Sequence, residues 1–417
     1  MGMKFMTKKI LIISFLLLFL AFVSPKTYAS SVFDVRSVDT MKTSRDQTLY
    51  KENDPSFDSK IDEELNEIKQ TGANYVTVDG AYDSAYIPWL KRWVDKARQK
   101  GFKIWFRGNF SGWSGWFGPQ DLDRQQHLEL TKNFILNNPD LFEDGDIFTA
   151  CPECEYGGPG NPLSTGDIDG YRSFMIDEYN TMKDAFKQIN KNVKVNYTSI
   201  NPDVAKVVLD KDTVEALGNV IVLDYYVKNV DSLKYGLDYF ENKFPSAKIV
   251  LGEFGAPIPD INGSMTDQQQ ADFIDQIMQF LKLQPEVIGV NYWVSSAGTT
   301  AILDNNLNPK PAAMVVKKYF DPGTVEGRVT DENGNGLNNI PVSLPTENKL
   351  VTTDASGGYS VELIEGQYTI NFGDSKNYYV STKTANVNSG ETNTINVSLT
   401  HKNESIIDKI LKFFRFK

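Results

Sequence analysis

Between residues 31 and 320, short apolar runs alternate with longer segments of helical period, and few folds accept that alternation over so long a stretch. The runs fall at 32–38, 74–78, 103–107, 146–151, 193–198, 220–226, 248–253 and 287–293. In Lys248-Ile249-Val250-Leu251 there is no polar alternation, as expected of a strand buried on both faces in a parallel sheet covered by helices. Eight such strands in this length predict a single (β/α)8 barrel, an α/β TIM barrel.

The segments between the runs carry helix signals. Ile61, Leu65 and Ile68 share a face behind the plausible cap Asp58-Ser59, and Pro88 opens a segment in which Trp89, Trp93 and Ala97 recur every fourth residue. Tyr171, Phe174, Met175, Tyr179, Met182, Phe186 and Ile189 mark a long amphipathic helix, and their periodicity makes them core. Thr266 and Gln269 have the spacing of a capping box, and Pro311 starts a last helix that ends near Phe320.

At Asp321-Pro322-Gly323 the texture changes to Thr, Val, Asn and Gly with period-two runs and turns such as Asn333-Gly334, the pattern of a small all-β sandwich. At 417 residues and 41% hydrophobic, the chain can bury one large core and a second small one. Its domains are expected at 31–320 and 323–400.

The ends suggest targeting. Lys4, Lys8 and Lys9 precede an apolar run from Ile10 to Val23 and the small-residue site at Ala29, the layout of a secretory signal peptide over 1–29. Its removal takes away four lysines and moves the net charge from −11 to −15, which argues against a nucleic-acid partner. The expected localisation is secreted or extracellular, as a monomer. The tail 401–417 interleaves Ile406, Ile407, Ile410, Leu411, Phe413 and Phe414 with Lys409, Lys412 and Arg415, a basic amphipathic pattern suited to a cell or membrane surface.

Cys151 and Cys154 are the chain's two cysteines, and a loop-like Gly157-Gly158-Pro159-Gly160 follows them instead of a redox helix. They either bridge or pack as reduced thiols. With His127 and His401 the sole histidines, no metal and no cofactor is expected.

The chemistry concentrates in carboxylates at strand ends. Glu253 closes the seventh run, and the fourth opens into Pro152-Glu153-Cys154-Glu155. Two carboxyl groups about 5–5.5 Å apart are what retaining glycoside hydrolysis requires, one protonating the leaving oxygen and one attacking the anomeric carbon. After the third run, Arg107, Asn109, Trp113 and Trp116 stand in a Gly/Ser-rich loop, where rings can stack on a sugar face and polar groups can bond its hydroxyls. Asp34, Arg36 and Asp79 are second-rank strand-end charges.

Over 31–320 the chain resembles retaining glycoside hydrolases with (β/α)8 barrels, of the cellulase and mannanase type. The resemblance implies that Glu253 in Leu251-Gly252-Glu253-Phe254-Gly255 is the nucleophile. The acid falls on Glu153 or Glu155. The family's usual Asn before the acid is missing; aligning Glu-Cys-Glu-Tyr-Gly with its motif favours Glu153. It also implies that Trp293 floors the sugar subsite and that a Tyr at the end of strand six bonds the nucleophile, Tyr226 or, with a slip of one residue, Tyr225.

The stretches 325–331, 340–344, 353–359 and 365–370 resemble the carboxypeptidase regulatory-like module, which has a transthyretin-like sandwich and an accessory role. The expected activity is therefore a secreted glycosidase acting on a polysaccharide or oligosaccharide. The alternative is a non-catalytic carbohydrate-binding or cell-surface protein on a degenerate barrel. A metal-dependent isomerase or deacetylase lacks its ligands.

Overall fold

The computed structural model describes residues 33–110, 122–158, 160–347, 349–374 and 376–402. The leader, the loop carrying Trp113 and Trp116, and the tail from 403 onward lie outside the described residues.

Eight parallel strands form one sheet: β1 Val35–Asp39, β2 Tyr75–Val78, β3 Lys103–Arg107, β4 Ile147–Thr149, β5 Ser199–Ile200, β6 Val220–Asp224, β7 Lys248–Phe254 and β8 Val287–Tyr292. Neighbours run in chain order from β1 to β4 and from β5 to β8, with β1 paired to β8. The ring closes through Lys194, whose N–H reaches Asp146 O at 2.8 Å and whose carbonyl accepts from Phe148 at 2.9 Å. The fifth run was expected at 193–198; there the chain makes this single bridge, and the regular strand is shorter and later.

Helices follow the strands. Phe57–Gln70 begins before the expected cap at Asp58, without a side-chain cap, whereas Ile87–Gln99 and Pro311–Phe320 carry proline in their first turn and Asp267–Leu281 has the Thr266/Gln269 capping box. Their apolar faces cover the outward positions of the strands, as helical periodicity requires.

The inward positions form layers. Val35, Tyr75, Trp105, Ile147, Tyr197, Val222 and Val250 make a closed apolar plug at the bottom. Two residues further along each strand the interior turns polar, with Ser37, Thr77, Arg107, Thr149, Ser199, Asp224 and Asn291 all buried. The period of two then brings Asp39, Asp79, Tyr226 and Trp293 to the top layer, at the C-terminal ends where barrel sites lie.

Residues 323–400 form two further sheets: in one, Gly323–Thr330 pairs antiparallel with Gly358–Leu363 and parallel with Thr392–Thr394 and Val397–Ser398, and in the other Pro341–Leu344 pairs antiparallel with Gly366–Phe372. The whole is an α/β barrel followed by a β-sandwich.

Candidate active site

Glu253 reaches the barrel interior through an irregularity. Leu251 pairs with Leu223, but the next pair is Glu253 with Asp224, so Gly252 is skipped. Alternation from inward Val250 would send Glu253 outward; the bulge turns it in. Gly252 permits this because a Cβ there would meet Asp224 Oδ1 and the Ser199 side chain.

Once inside, Glu253 is held by two donors. Arg107 Nη2 lies 3.0 Å from Oε1, and the Tyr226 hydroxyl donates to Oε2 at 2.6 Å. The same Nη2 is 2.8 Å from Asp224 Oδ2 and 3.1 Å from Ser199 Oγ, while Nη1 donates to Gly252 O at 2.8 Å and faces Asp39 Oδ2 at 3.6 Å. Arg107 is thus a buried counter-charge beneath the carboxylates, not the hydroxyl-binding loop residue expected from sequence. Asn109 also departs from that expectation: it is buried, with its amide 3.7 Å from Cys151 Sγ.

The loop after β4 separates its two glutamates. Glu155 is buried and accepts from Asn201 N at 2.7 Å and from the Tyr171 hydroxyl at 3.3 Å, which makes it a brace for the loop. Glu153 is less enclosed, accepts from Asn201 Nδ2 at 2.7 Å, and sits in the left-handed backbone region with φ 45°. A non-glycine residue in that region costs free energy that the surrounding contacts must offset, a feature often found at working sites. Cys151 and Cys154 on either side of it are joined in a disulfide.

One carboxylate oxygen each from Glu153, Asp224 and Glu253 lie within 4.8 Å of one another. Burial, then the charges of Asp224 and Glu253, push the Glu153 carboxyl up to about 9 against the pull of Arg107. Asp224 is itself raised by burial, with Arg107 opposing. Such a site has one carboxyl that keeps its proton at neutral pH beside one held by cationic and hydroxyl donors, the division of labour of an acid and a nucleophile.

Trp293 flanks this group, its ring edge-to-face with Tyr226 at 5.8 Å and its Nε1 3.4 Å from Met41 Sδ. Tyr225 instead turns outward, donating to Ser232 O at 3.1 Å and packing on Gly236. Asp34 and Arg36 lie at the opening end of β1, away from the mouth, with Arg36 bonded to Phe33 O; Asp79 is in the top layer. Asp224, Asp39 and Asn201 were missed by sequence reasoning. Asp224 had a legible signal, since it continues the inward positions Val220 and Val222.

Residues 324–400 match the carboxypeptidase regulatory-like domain. A curated relative, structural protein 27 of a virus (isolate Australia/Victoria), is 38% identical over 82 residues, covering 20% of this chain and 15% of its own. Similar solved structures include β-glucuronidase 2 of Bacteroides uniformis, at 9% identity and TM-score 0.47 over 87% of this chain and 46% of that one. Two others are the β-D-glucuronidase of Dictyoglomus thermophilum (14%, TM-score 0.47, 69% and 50%) and the GH2 β-galacturonidase of Eisenbergiella tayi (15%, TM-score 0.43, 63% and 47%). The chain spans about half the length of these structures, and scores at this level describe a distant likeness of form.

Proposed function

We propose that the protein is a secreted glycoside hydrolase that cleaves O-glycosidic bonds of a polysaccharide or oligosaccharide with retention, through a glycosyl-enzyme ester on Glu253. The observation that carries this reading is the approach of Glu153 and Glu253 oxygens to within 4.8 Å, with the Glu153 carboxyl pushed up by burial and the Glu253 carboxylate gripped by Arg107 and Tyr226. That spacing leaves no room for a water between acid and nucleophile, which the inverting geometry needs.

In the first step Glu253 attacks the anomeric carbon as Glu153 gives its proton to the departing oxygen. In the second, Glu153 as carboxylate takes a proton from water, and the ester opens. Arg107 and Tyr226 hold the Glu253 carboxylate in line before attack and stabilise it as it leaves again. Trp293 offers an apolar wall for the sugar ring.

The test is to incubate the protein with activated 2-deoxy-2-fluoro aryl glycosides and map the labelled peptide by mass spectrometry. Labelling at Glu253, absent in a folded Glu253→Gln protein that has also lost turnover, is expected. Near-normal hydrolysis by Glu253→Gln would overturn the assignment.

A further inference from the structure

The strand ends around Glu253 gather carboxyl groups with little positive charge beside them. Asp39, Asp79, Asp224, Glu153 and Glu253 converge there, and among the described residues Arg107 is the one cation in ion-pair contact with any of them. Both its Nη atoms are committed to Asp224, Glu253, Asp39, Ser199 and the Gly252 carbonyl. Lys42 Nζ lies 5.6 Å from the Trp293 ring centre, but it and Arg45 both pair with Asp46, at 3.0 and 2.9 Å. Residues 111–121, outside the described residues, contain no lysine or arginine.

Asp79 makes this inventory directional. On β2, Tyr75 belongs to the apolar plug and Thr77 bonds Asn291 across the interior at 2.8 Å, so the period of two carries Asp79 inward one layer higher. It is 1% exposed, and neither of its carboxylate oxygens has a hydrogen-bond partner among the described residues. Buried polar groups in folded proteins are nearly always paired, so an acceptor left open beside a catalytic pair points to a donor that arrives with the ligand.

We propose that the sugar seated over Glu253 is a neutral or amino sugar that gives hydroxyl or ammonium donors to Asp79, and that uronic acids are excluded from this position. The inference rests on the glycosidase reading above and names its substrate class. A uronate carboxylate would enter among five carboxyl groups with no uncommitted cation among the described residues to receive it, and leaving a ligand's charge unpaired is how a site rejects it. Burial, together with Asp39 and Glu253, raises the Asp79 carboxyl well above the ordinary range, with Arg107 and Arg45 opposing. A further anion would push it higher and an ammonium would bring it down, so the existing charges already favour the second ligand.

The experiment uses the full protein with pairs of 4-nitrophenyl glycosides differing only at C6, glucoside against glucuronide, galactoside against galacturonide and mannoside against mannuronide in both anomers, plus the 2-amino-2-deoxy glucoside. The expected result is kcat/KM at least about a hundredfold higher for a neutral or amino sugar than for its uronate. Asp79→Asn should shrink that ratio about tenfold, because the amide has no charge and brings a donor of its own. Equal or preferred hydrolysis of any uronide overturns the proposal.

If no glycoside is hydrolysed, the hydrolase reading fails by itself, and calorimetric titration of Glu253→Gln with the same sugars decides the substrate class. Binding of a neutral or amino sugar that weakens in Asp79→Asn supports it; binding of the uronates, or of none of the set, overturns it.

Discussion

The Tyr226 hydroxyl stands 2.6 Å from Glu253 Oε2, while its chain neighbour Tyr225 donates to Ser232 O on the outside of the barrel. One residue of register divides a group that touches Glu253 from one that packs a helix. Tyr226→Phe removes a donor but keeps the ring against Trp293, so kcat should fall about a hundredfold with little change in thermal stability. Tyr225→Phe should leave kcat within about a factor of two, since its lost bond is half-exposed and remote from the reacting atoms. Steady-state kinetics of the two variants side by side check the pair; similar losses in both would contradict the assignment.

The glutamates after β4 should separate cleanly. A lost acid is missed least by substrates with good leaving groups, and azide can replace the water that the conjugate base activates. Glu153→Ala should therefore regain turnover of an activated aryl glycoside with azide and release a glycosyl azide. Glu155→Gln should show no such rescue and should instead lose about 1–3 kcal/mol of stability, because the amide cannot accept from both Asn201 N and Tyr171 as the carboxylate does. Product analysis by NMR and urea denaturation check the two halves.

These contrasts show which features could be read before the fold. The barrel and the place of Glu253 at a strand end were legible because an unbroken apolar run ending in a carboxylate is a local pattern, whereas Trp293 was singled out by the family resemblance. Tyr226 was favoured over Tyr225, and counting from Val220 and Val222 decides between them. The bulge at Gly252 was not legible, since it depends on how β7 meets β6. The role of Arg107 was misjudged and that of Glu155 left open for a related reason: both are charged residues whose partners, Asp224, Asp39 and Asn201, come from distant parts of the chain. Nothing local distinguishes an arginine that binds sugar from one that carries the floor of the site.

The raised Glu153 carboxyl sets the pH behaviour. As an acid it must be protonated, so kcat/KM should hold through neutral pH and fall on the alkaline side near 9. Asp224→Asn removes the neighbouring charge that acts on it most, which lowers the Glu153 pKa and moves the alkaline limb to lower pH. Substrates that need no acid assistance should show a smaller change. A purely structural effect of Asp224→Asn would reduce activity at every pH without moving the limb. The linkage has a definite sign: between the ordinary 4.5 and about 9 the folded state holds a proton that the unfolded chain releases. This group's contribution to stability is full below 4.5 and is lost as pH rises through 9.

The Cys151–Cys154 bridge spans Pro152 and Glu153 and has Cα atoms 5.0 Å apart. A ring this small removes little entropy from the unfolded chain, so its contribution to global stability should be slight. Its local effect is larger, because it restrains the backbone that carries the acid, and Gly158 packs so closely on both sulfurs that a Cβ there would collide with them. Reduction, or the double replacement Cys151→Ser with Cys154→Ser, should lower kcat about tenfold or more through misplacement of Glu153, while Tm drops by only about 2–4 °C. Gly158→Ala should mimic the kinetic loss with the bridge intact. Aryl glycoside kinetics and calorimetry on matched oxidised and reduced samples make the comparison; a large fall in Tm with kcat unchanged would assign the bridge to the fold and leave Glu153 held by Asn201 and the Ser199 carbonyl alone.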